Sequence, residues 1–328
     1  IAVPTILSIV ERNRLAAHES QKQLIIRAAK KYVFFNPEVL NEIPEVNDET
    51  HLTVGQLIAA DFLSPGLTDL RTGNPLSMNT QIKIVNKGNN VYAYYYIDEN
   101  GEESEVIDTG SHGVIDPNYE FAYGSGTPDD PYQIWDLTDL NHARLDSDAT
   151  FVLMSNINAE YTINWNDGEG WVPIGSNNDH FTGVIDGNGF TISNLHINRP
   201  SSDYQAFVGY LGSGGEISNV NLVNADITGR NYTAGLTGYN NRAPITNVAV
   251  TGNITGNNYV GMITGYSMFA DIESAFSLGS VSGSTYVGGI SGYQNRFSLT
   301  NSYSLANVSG NSYVGGLTGY LYSSVGTA

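Results

Sequence analysis

The chain has 328 residues, a formal net charge of −19 and no cysteine, which excludes disulfide-stapled folds and thiolate metal sites. Its hydrophobic fraction of 41% is enough to bury cores and argues against wholesale disorder. An acidic body with no lysine after Lys87 excludes binding to nucleic acid or to an anionic membrane by charge.

The first 33 residues are predicted to form one long helix that is basic, unlike the acidic remainder of the chain. Pro4 suits a first helical turn, and apolar residues then recur every three or four positions up to Val33. Six of the 14 basic residues lie within the first 31 positions, so a basic segment precedes an acidic body. The apolar stub 1–10 is shorter than the roughly 20 residues that a membrane-spanning helix needs.

Residues 34–111 are predicted to form a small mixed domain. Thr53 followed by Gln56 has the spacing of a capping box and predicts a short helix. Two alternating runs around KGNN and a third after the Asn100-Gly101 turn predict a three-stranded antiparallel meander. The Gly-, Pro- and Asp-rich stretch 112–130 is interpreted as a linker between two domains.

The second half of the chain repeats itself. A Gly before a Tyr recurs in blocks such as TAGLTGY and VGGLTGY, at a nearly constant step along the chain: Gly209, Gly238, Gly265, Gly292 and Gly319. One such unit cannot bury its apolar face alone, whereas stacked coils pair each strand with its equivalent about 4.8 Å away. The repeat therefore predicts a mostly-β domain over 131–328, a β-solenoid with lead-in coils at 131–203 and regular 27-residue coils at 204–328.

VGGLTGY and its copies resemble the GLUG repeat, which is found in large bacterial surface proteins, adhesins and some secreted peptidases. Together with the run from GSGTPDDPYQIW onwards, the resemblance covers about 124–328. It implies a surface module in which the repeat carries no catalytic residues of its own.

The N-terminal part, over about 1–111, is similar to a type IV pilin or a related pseudopilin. The residues that carry this are IAVPTIL running into a charged amphipathic helix, LTVGQLIAADFLSP, and the Tyr-rich meander. The resemblance implies an α+β module whose long helix sits in the membrane before assembly and in the filament core afterwards. The implied assembly residues are Ile1, Val3, Pro4, Ile6, Leu7 and Val10.

The sequence departs from that family in several respects. The prepilin cleavage site and most of the apolar half-helix are absent, there is no C-terminal disulfide loop, and a large solenoid follows the head. The absent half-helix suggests that a segment before Ile1 is missing from this sequence. The lack of a polar cap after the last coil predicts either that more coils follow in the natural protein or that another subunit covers the end.

Side chains that carry chemistry are scattered. The six His show no paired metal spacing, so each is expected to be a surface or packing residue. Asp179, Asp186 and Glu216 are the carboxylates that would line a groove if the solenoid were an enzyme. The segments 145–148 and 164–171 offer oxygen ligands of the kind that Ca²⁺ takes, although neither follows the full twelve-residue loop.

Four exposed tyrosines are predicted to form an aromatic ladder along one edge of the solenoid: Tyr239, Tyr266, Tyr293 and Tyr320. One interpretation is stacking that stabilises the coils. The other is an aromatic strip for contact with a glycan or a protein.

These features favour a structural, non-enzymatic subunit of an extracellular type IV pilus-like filament on a bacterial surface. It would polymerise with itself through its N-terminal helix and display the solenoid for adhesion or surface contact. The expected partners are copies of itself, other pilin subunits and a surface glycan or protein receptor. No nucleic acid and no cofactor are expected, with Ca²⁺ as a weak alternative, and membrane contact is expected only before assembly.

Two further functions stay open. One is a pseudopilin-like component of a secretion or uptake apparatus. The other is a secreted carbohydrate-active β-helix enzyme.

Overall fold

The computed structural model describes residues 6–88, 91–105, 113–117, 119–296 and 298–322. The chain divides into two compact units, 1–107 and 108–328, and each has a hydrophobic core of its own. Most of the regular structure is β.

The first unit packs helices against a small sheet. Its elements in chain order are α1 (Ile6–Phe35), β1 (Glu49–Thr53), α2 (Val54–Ala59), β2 (Gln81–Gly88), β3 (Val91–Ile97) and β4 (Glu103–Glu105). Ile25 and Ala29 of α1 are fully buried in a core that also contains Leu57, Ile82 and Ile84.

The sheet of the first unit has four antiparallel strands in the order β1-β2-β3-β4, so the predicted three-stranded meander was one strand short. The missed strand β1 has the sequence ETHLT, which lacks the apolar alternation of a typical strand. Its buried positions are Thr50 and Leu52, and it is held by pairing with β2.

The capping box at the start of α2 is confirmed. Thr53 Oγ1 accepts a hydrogen bond from the Gln56 backbone N–H at 3.1 Å. Gln56 Oε1 in turn accepts from the Thr53 N–H at 2.7 Å. Two backbone donors at the start of the helix are thereby satisfied.

The described residues of the stretch 112–130 pack on the second unit. Arg144 Nη2 donates to the Gly113 carbonyl oxygen at 3.1 Å, and the Tyr119 ring stacks on His142 with centroids 3.8 Å apart. The interpretation of this stretch as a linker is therefore corrected, because these residues form a cap segment on the first coil.

The second unit is a parallel β-solenoid of about five turns, with one short helix, α3 (Leu137–His142), near its start. Its strands are β5 (Tyr132–Ile134), β6 (Thr150–Leu153), β7 (Ile157–Asn158), β8 (Val184–Asp186), β9 (Thr191–Ser193), β10 (His196–Asn198), β11 (Val208–Leu211), β12 (Glu216–Ser218), β13 (Asn221–Thr228), β14 (Asn231–Ala234), β15 (Thr237–Asn241), β16 (Ile245–Thr255), β17 (Asn258–Gly261), β18 (Thr264–Met268), β19 (Ile272–Ser282), β20 (Thr285–Gly288), β21 (Ser291–Asn295), β22 (Leu299–Thr300), β23 (Tyr303–Ser309), β24 (Ser312–Gly315) and β25 (Thr318–Tyr322).

Three parallel sheets make up the sides of the solenoid. One has 12 strands and includes β13, β16 and β19; the second runs β11-β15-β18-β21-β25, and the third β14-β17-β20-β24. Each strand of the regular coils pairs with its equivalent one coil further on, as Ile245 does with Ile272 and Tyr266 with Tyr293. The predicted 27-residue coil is confirmed.

The core of the solenoid changes character along its length. In the lead-in coils it is aromatic: the Trp165 and Trp171 rings stack with centroids 5.8 Å apart, and Phe207 lies 6.0 Å beyond Trp171. In the regular coils it consists of aliphatic ladders such as Ile245 and Ile272, both fully buried.

Candidate interaction surface

Two columns of tyrosine rings run along the solenoid. Column A consists of Tyr204, Tyr232, Tyr259, Tyr286 and Tyr313, with successive centroids 4.8–5.0 Å apart. Column B consists of Tyr210, Tyr239, Tyr266, Tyr293 and Tyr320, with successive centroids 4.7–5.1 Å apart. Because this spacing equals the separation of paired strands, each coil adds one ring to each column.

The columns also contact each other edge to face. Tyr259 and Tyr266 have centroids 5.5 Å apart at an interplanar angle of 75°, and Tyr286 and Tyr293 are 5.3 Å apart at 84°. A ring therefore stacks within its own column and presents its edge to the other, which are the two geometries that aromatic pairs prefer. Each such pair contributes about 0.5–1.5 kcal/mol beyond area burial.

The backbone of column A is strained. Tyr232, Tyr259 and Tyr286 have φ of 55°, 59° and 60°, in the left-handed region. That region is an outlier for a bulky residue and costs about 1–2 kcal/mol per residue. The ring contacts on both sides of each tyrosine offset this cost.

The Gly that precedes each column B tyrosine makes the close approach possible. A Cβ at Gly265 would lie 2.6 Å from the carbonyl oxygen of Tyr259 and 2.7 Å from that of Gly238. Only a residue without a side chain fits there. The repeated Gly-Tyr pair thus holds the two columns at contact distance.

A histidine covers the first ring of column B. The His180 ring stacks on Tyr210 with centroids 3.7 Å apart and an interplanar angle of 6°. His180 is therefore a packing residue, as expected from the sequence.

Burial makes several of the tyrosine hydroxyls weaker acids than the phenol of an exposed tyrosine. It raises the pKa of Tyr232 to about 12, with smaller contributions from neighbouring tyrosines, and it raises the pKa of Tyr239 further still. The pKa of Tyr204 and that of Tyr210 are raised by burial as well. These hydroxyls are neutral at physiological pH, so they offer hydrogen-bond donors.

The geometry limits what the columns can bind. Inside a column both faces of each ring are covered by neighbours at 4.7–5.1 Å, so a sugar ring has no free face on which to stack. The rings of Tyr239, Tyr266 and Tyr293 are half-buried, so only part of each ring's edge is left to solvent. Column B contains the four tyrosines expected from the sequence to form a ladder, but their side chains are half-buried rather than exposed. Column A was not predicted, although Tyr259, Tyr286 and Tyr313 recur with the same period as the Gly-Tyr pairs.

The candidate catalytic carboxylates have local roles where hydrogen bonds are described. Asp186 Oδ1 accepts from the Asn188 N–H at 2.8 Å and from Asn219 Nδ2 at 2.9 Å, so it supports a turn. Asp179 accepts from the Ser147 hydroxyl at 3.3 Å, and Glu216 begins β12.

A shallow groove of about 290 Å³ lies where the lead-in coils meet the first regular coil, and its lining includes none of those three carboxylates. It is lined by Glu160, Ile163, Asn194, His196, Asn224 and Asp226. His196 Nδ1 lies 3.2 Å from Asp226 Oδ2. The side chain of Asp226 is 65% exposed, so the groove is open to water.

The two acidic segments named as calcium candidates do not gather a ligand set. Burial, followed by the neighbouring Asp148 carboxyl, raises the pKa of Asp146. In 164–171 the side-chain amide of Asn166 donates to the Gly170 carbonyl at 2.7 Å and closes the loop on itself. Among the described residues no three His, Asp or Glu side chains are placed to hold a metal ion.

The candidate assembly residues lie at the N-terminal edge of the described part of the chain. Ile1, Val3 and Pro4 lie outside the described residues, and for Ile6, Leu7 and Val10 only the helical backbone is described. No helix in the described part of the chain is both long and apolar enough to cross a membrane.

Comparison with known proteins identifies two relatives and no family. No protein-family model and no solved structure matches the chain, so neither the GLUG nor the pilin assignment gains support. The chain is 43% identical to Halomucin of Haloquadratum walsbyi over 134 residues. This aligned region covers 39% of the present chain and 2% of Halomucin. It is 36% identical over 135 residues to a protein of Evansella cellulosilytica described as a Gly-rich membrane protein, covering 40% of this chain and 15% of that protein. The chain is thus similar, over about two fifths of its length, to small parts of two much longer proteins.

Proposed function

We propose that this protein is a structural, non-enzymatic component of the cell surface, in which the solenoid acts as a stiff spacer and contact module. The observation that carries this proposal is the coil-by-coil register of the two tyrosine columns. Every regular coil adds the same rings, hydroxyls and backbone pairing, so the exposed surface is built by repetition. The relatives add a second support, because the names Halomucin and Gly-rich membrane protein both point to the cell surface.

The finer form of the proposal is a pilus-like filament. In that form the N-terminal helix polymerises the subunits outside the cell and the solenoid makes the contacts. The driving force would be burial of the apolar strip that includes Ile6, Leu7 and Val10, at about 25 cal/mol per Å² before the costs of association.

Whole-cell labelling tests the surface role. An antibody against the solenoid is expected to label intact cells of the source organism and to lose its signal after mild proteolysis of those cells. Labelling that requires permeabilised cells would contradict the proposal.

Electron microscopy of full-length, membrane-extracted protein tests the filament. Extended filaments decorated by the antibody are expected. Strictly monomeric particles would contradict polymerisation and would leave the surface role to the labelling experiment.

The groove between the lead-in coils and the first regular coil favours a second candidate, a carbohydrate-active enzyme. It places Glu160 and the His196–Asp226 pair beside an exposed Ile163, the kind of polar and apolar mixture that sugar sites use. Turnover on a panel of polysaccharides, lost in the double variant Glu160→Gln and Asp226→Asn, would support the enzyme and contradict the non-enzymatic proposal.

A further inference from the structure

Three side chains at one corner of the solenoid form an exposed stack outside the tyrosine columns. Arg242, Phe269 and Arg296 directly follow the strands β15, β18 and β21, one on each of three consecutive coils. Both arginines are exposed, and Phe269 is 40% exposed. We call these three residues the Arg–Phe–Arg stack.

The backbone conformation at this corner does not favour arginine or phenylalanine. Arg242, Phe269 and Arg296 have φ of 62°, 53° and 54°, the left-handed region that favours Gly and Asn. At another corner of the same solenoid Asn219 and Asn247 take that conformation. Because bulky residues are strained where Asn would serve, the side chains themselves need an explanation.

Cation–π contacts hold the stack together. The Arg242 guanidinium carbon lies 5.2 Å from the centre of the Phe269 ring, and that of Arg296 lies 5.7 Å from it. Both distances are within the range of favourable cation–π geometry. The two arginines are two coil steps apart, about 9.6 Å at the usual strand separation.

The charges of the stack are not neutralised within the protein. Two other arginines of the described solenoid are ion-paired, Arg199 with Glu169 at 2.7 Å and Arg230 with Asp203 at 2.7 Å. A third, Arg144, donates instead to the Gly113 and Asn141 oxygens. Neither arginine of the stack forms an ion pair with any described residue. In a chain with 33 acidic and 14 basic residues, the stack therefore places two exposed positive charges on an otherwise acidic protein.

The nearest acidic residues along the chain are bonded elsewhere. Asp271 Oδ1 accepts from the backbone N–H and the hydroxyl of Ser298, at 3.0 and 2.5 Å. Glu273 Oε1 accepts from Asn301 Nδ2 at 3.3 Å. Neither guanidinium group donates a hydrogen bond to a described residue, so the N–H groups of the stack are available to a ligand.

We propose that the Arg–Phe–Arg stack binds an extended acidic polysaccharide, a polyuronate, through one sugar carboxylate on each arginine. A guanidinium lying on a ring keeps its N–H edge free, and that edge matches a carboxylate with two parallel hydrogen bonds. The ligand deepens the proposed surface role and rests on it for its biological setting.

The separation of the two arginines argues against an extended acidic peptide as the ligand. Same-face side chains of an extended peptide recur about every 6.8 Å, which is short of the separation of the two arginines. A polyuronate carries one carboxylate on every sugar of a stiff chain, so two of its carboxylates can align along the coils. The net negative charge of the protein opposes this binding only weakly at physiological salt, where the screening length is about 8 Å.

Calorimetric titration of the full chain tests the proposal, with a hexameric oligogalacturonate as the probe. The fully methyl-esterified hexamer is the matched ligand control, because it keeps the sugar chain and removes the charges. Arg230→Gln is the matched protein control, because it removes the same charge from an arginine that is already paired.

The acidic hexamer is expected to bind and the esterified one is not. Arg242→Gln and Arg296→Gln each lower the affinity roughly tenfold or more, since each removes hydrogen bonds between charged groups, and the double variant abolishes binding. Arg230→Gln binds as the unsubstituted chain does. Thermal melting checks that all variants fold.

Phe269 acts as a positioning residue in this site. Phe269→Ala is expected to weaken binding of the hexamer, and Phe269→Trp, which keeps an aromatic face, is expected to restore it. An unchanged affinity in Phe269→Ala would contradict the role of the stack.

Several outcomes overturn the proposal. They are no binding of the acidic hexamer, equal binding of the esterified hexamer, full binding by the double arginine variant, and tighter binding of poly-L-glutamate than of the hexamer. A protein that labels on intact cells but fails these tests keeps its surface role and loses this ligand. A protein that passes them but does not label keeps the ligand and loses the surface role.

Discussion

Single glycines set how closely the coils of this solenoid approach. At Gly265 a Cβ would meet two backbone oxygens, those of Tyr259 and Gly238, and backbone cannot move aside as a flexible side chain can. At Gly316, in the last described coil, a Cβ would meet nothing within 4 Å. Gly265 therefore requires a residue without a side chain, whereas Gly316 does not.

Gly265→Ala is expected to destabilise the solenoid by about 1–3 kcal/mol, the usual range for overpacking, and to lower the melting temperature by several degrees. Gly316→Ala is the control and is expected to be close to neutral. Urea unfolding followed by circular dichroism measures both. If the two variants are equally stable, the coils can accommodate a methyl group at position 265, which would contradict the close contacts in this structure.

The tyrosine hydroxyls make stability sensitive to alkali. Burial raises the pKa of Tyr232 to about 12, against about 10 in an unfolded chain. The stability that comes from keeping this phenol neutral is complete below pH 10 and is lost as the pH rises through 12.

The melting temperature is therefore expected to fall steeply above pH 10, together with a rise in tyrosinate absorbance. The urea-unfolded chain, as the control, is expected to titrate near pH 10. If all tyrosines of the folded chain titrate near pH 10 without loss of structure, the columns are more exposed than in this structure.

At the scale of elements, the first coil is covered by the cap segment. His142 Nε2 accepts from the Asp116 N–H at 3.0 Å, and Nδ1 lies 2.7 Å from the Thr138 carbonyl oxygen, so the ring is neutral and carries its proton on Nδ1. Burial lowers the pKa of His142. The contact is therefore intact above the ordinary histidine pKa of about 6.5 and is weakened as the pH falls below it.

Amide hydrogen exchange of the cap segment is expected to accelerate between pH 7 and pH 5, after correction for the intrinsic pH dependence of exchange. His142→Phe keeps a ring against Tyr119 but cannot titrate, so it removes this pH dependence. His51→Gln changes an exposed histidine of the other unit and leaves it unaltered. The same acceleration in His142→Phe would contradict the assignment.

At the scale of the whole molecule, the described residues form two hydrophobic cores, one in each unit. Ile25 belongs to the core of the first unit and Ile272 to that of the solenoid, and both are fully buried. Units with their own cores can unfold independently.

Calorimetry of the full chain is expected to show two unfolding transitions. Ile25→Asp places an unpaired charge in the first core and removes one transition, and Ile272→Asp removes the other. A single transition that both variants abolish would mean that the units unfold as one.

The sequence by itself determined the features that recur at short range. The constant spacing of Gly265, Gly292 and Gly319 predicted parallel coils in register. Residues that recur at equal intervals occupy equivalent positions in successive coils and stack on one another. The spacing of Thr53 and Gln56 predicted the capping box, since both partners lie within one helical turn.

Only the tertiary structure decided which distant segments meet. It paired the polar strand β1 with β2, laid the cap segment on the first coil, and set the edges of column A against column B. It also brought Arg242, Phe269 and Arg296 into one stack. The physical reason is that periodicity in the sequence shows which residues occupy equivalent positions in successive coils. It does not show which columns of equivalent residues contact each other. Those contacts depend on where each coil turns, and the packing of the neighbouring coils sets the position of the turn.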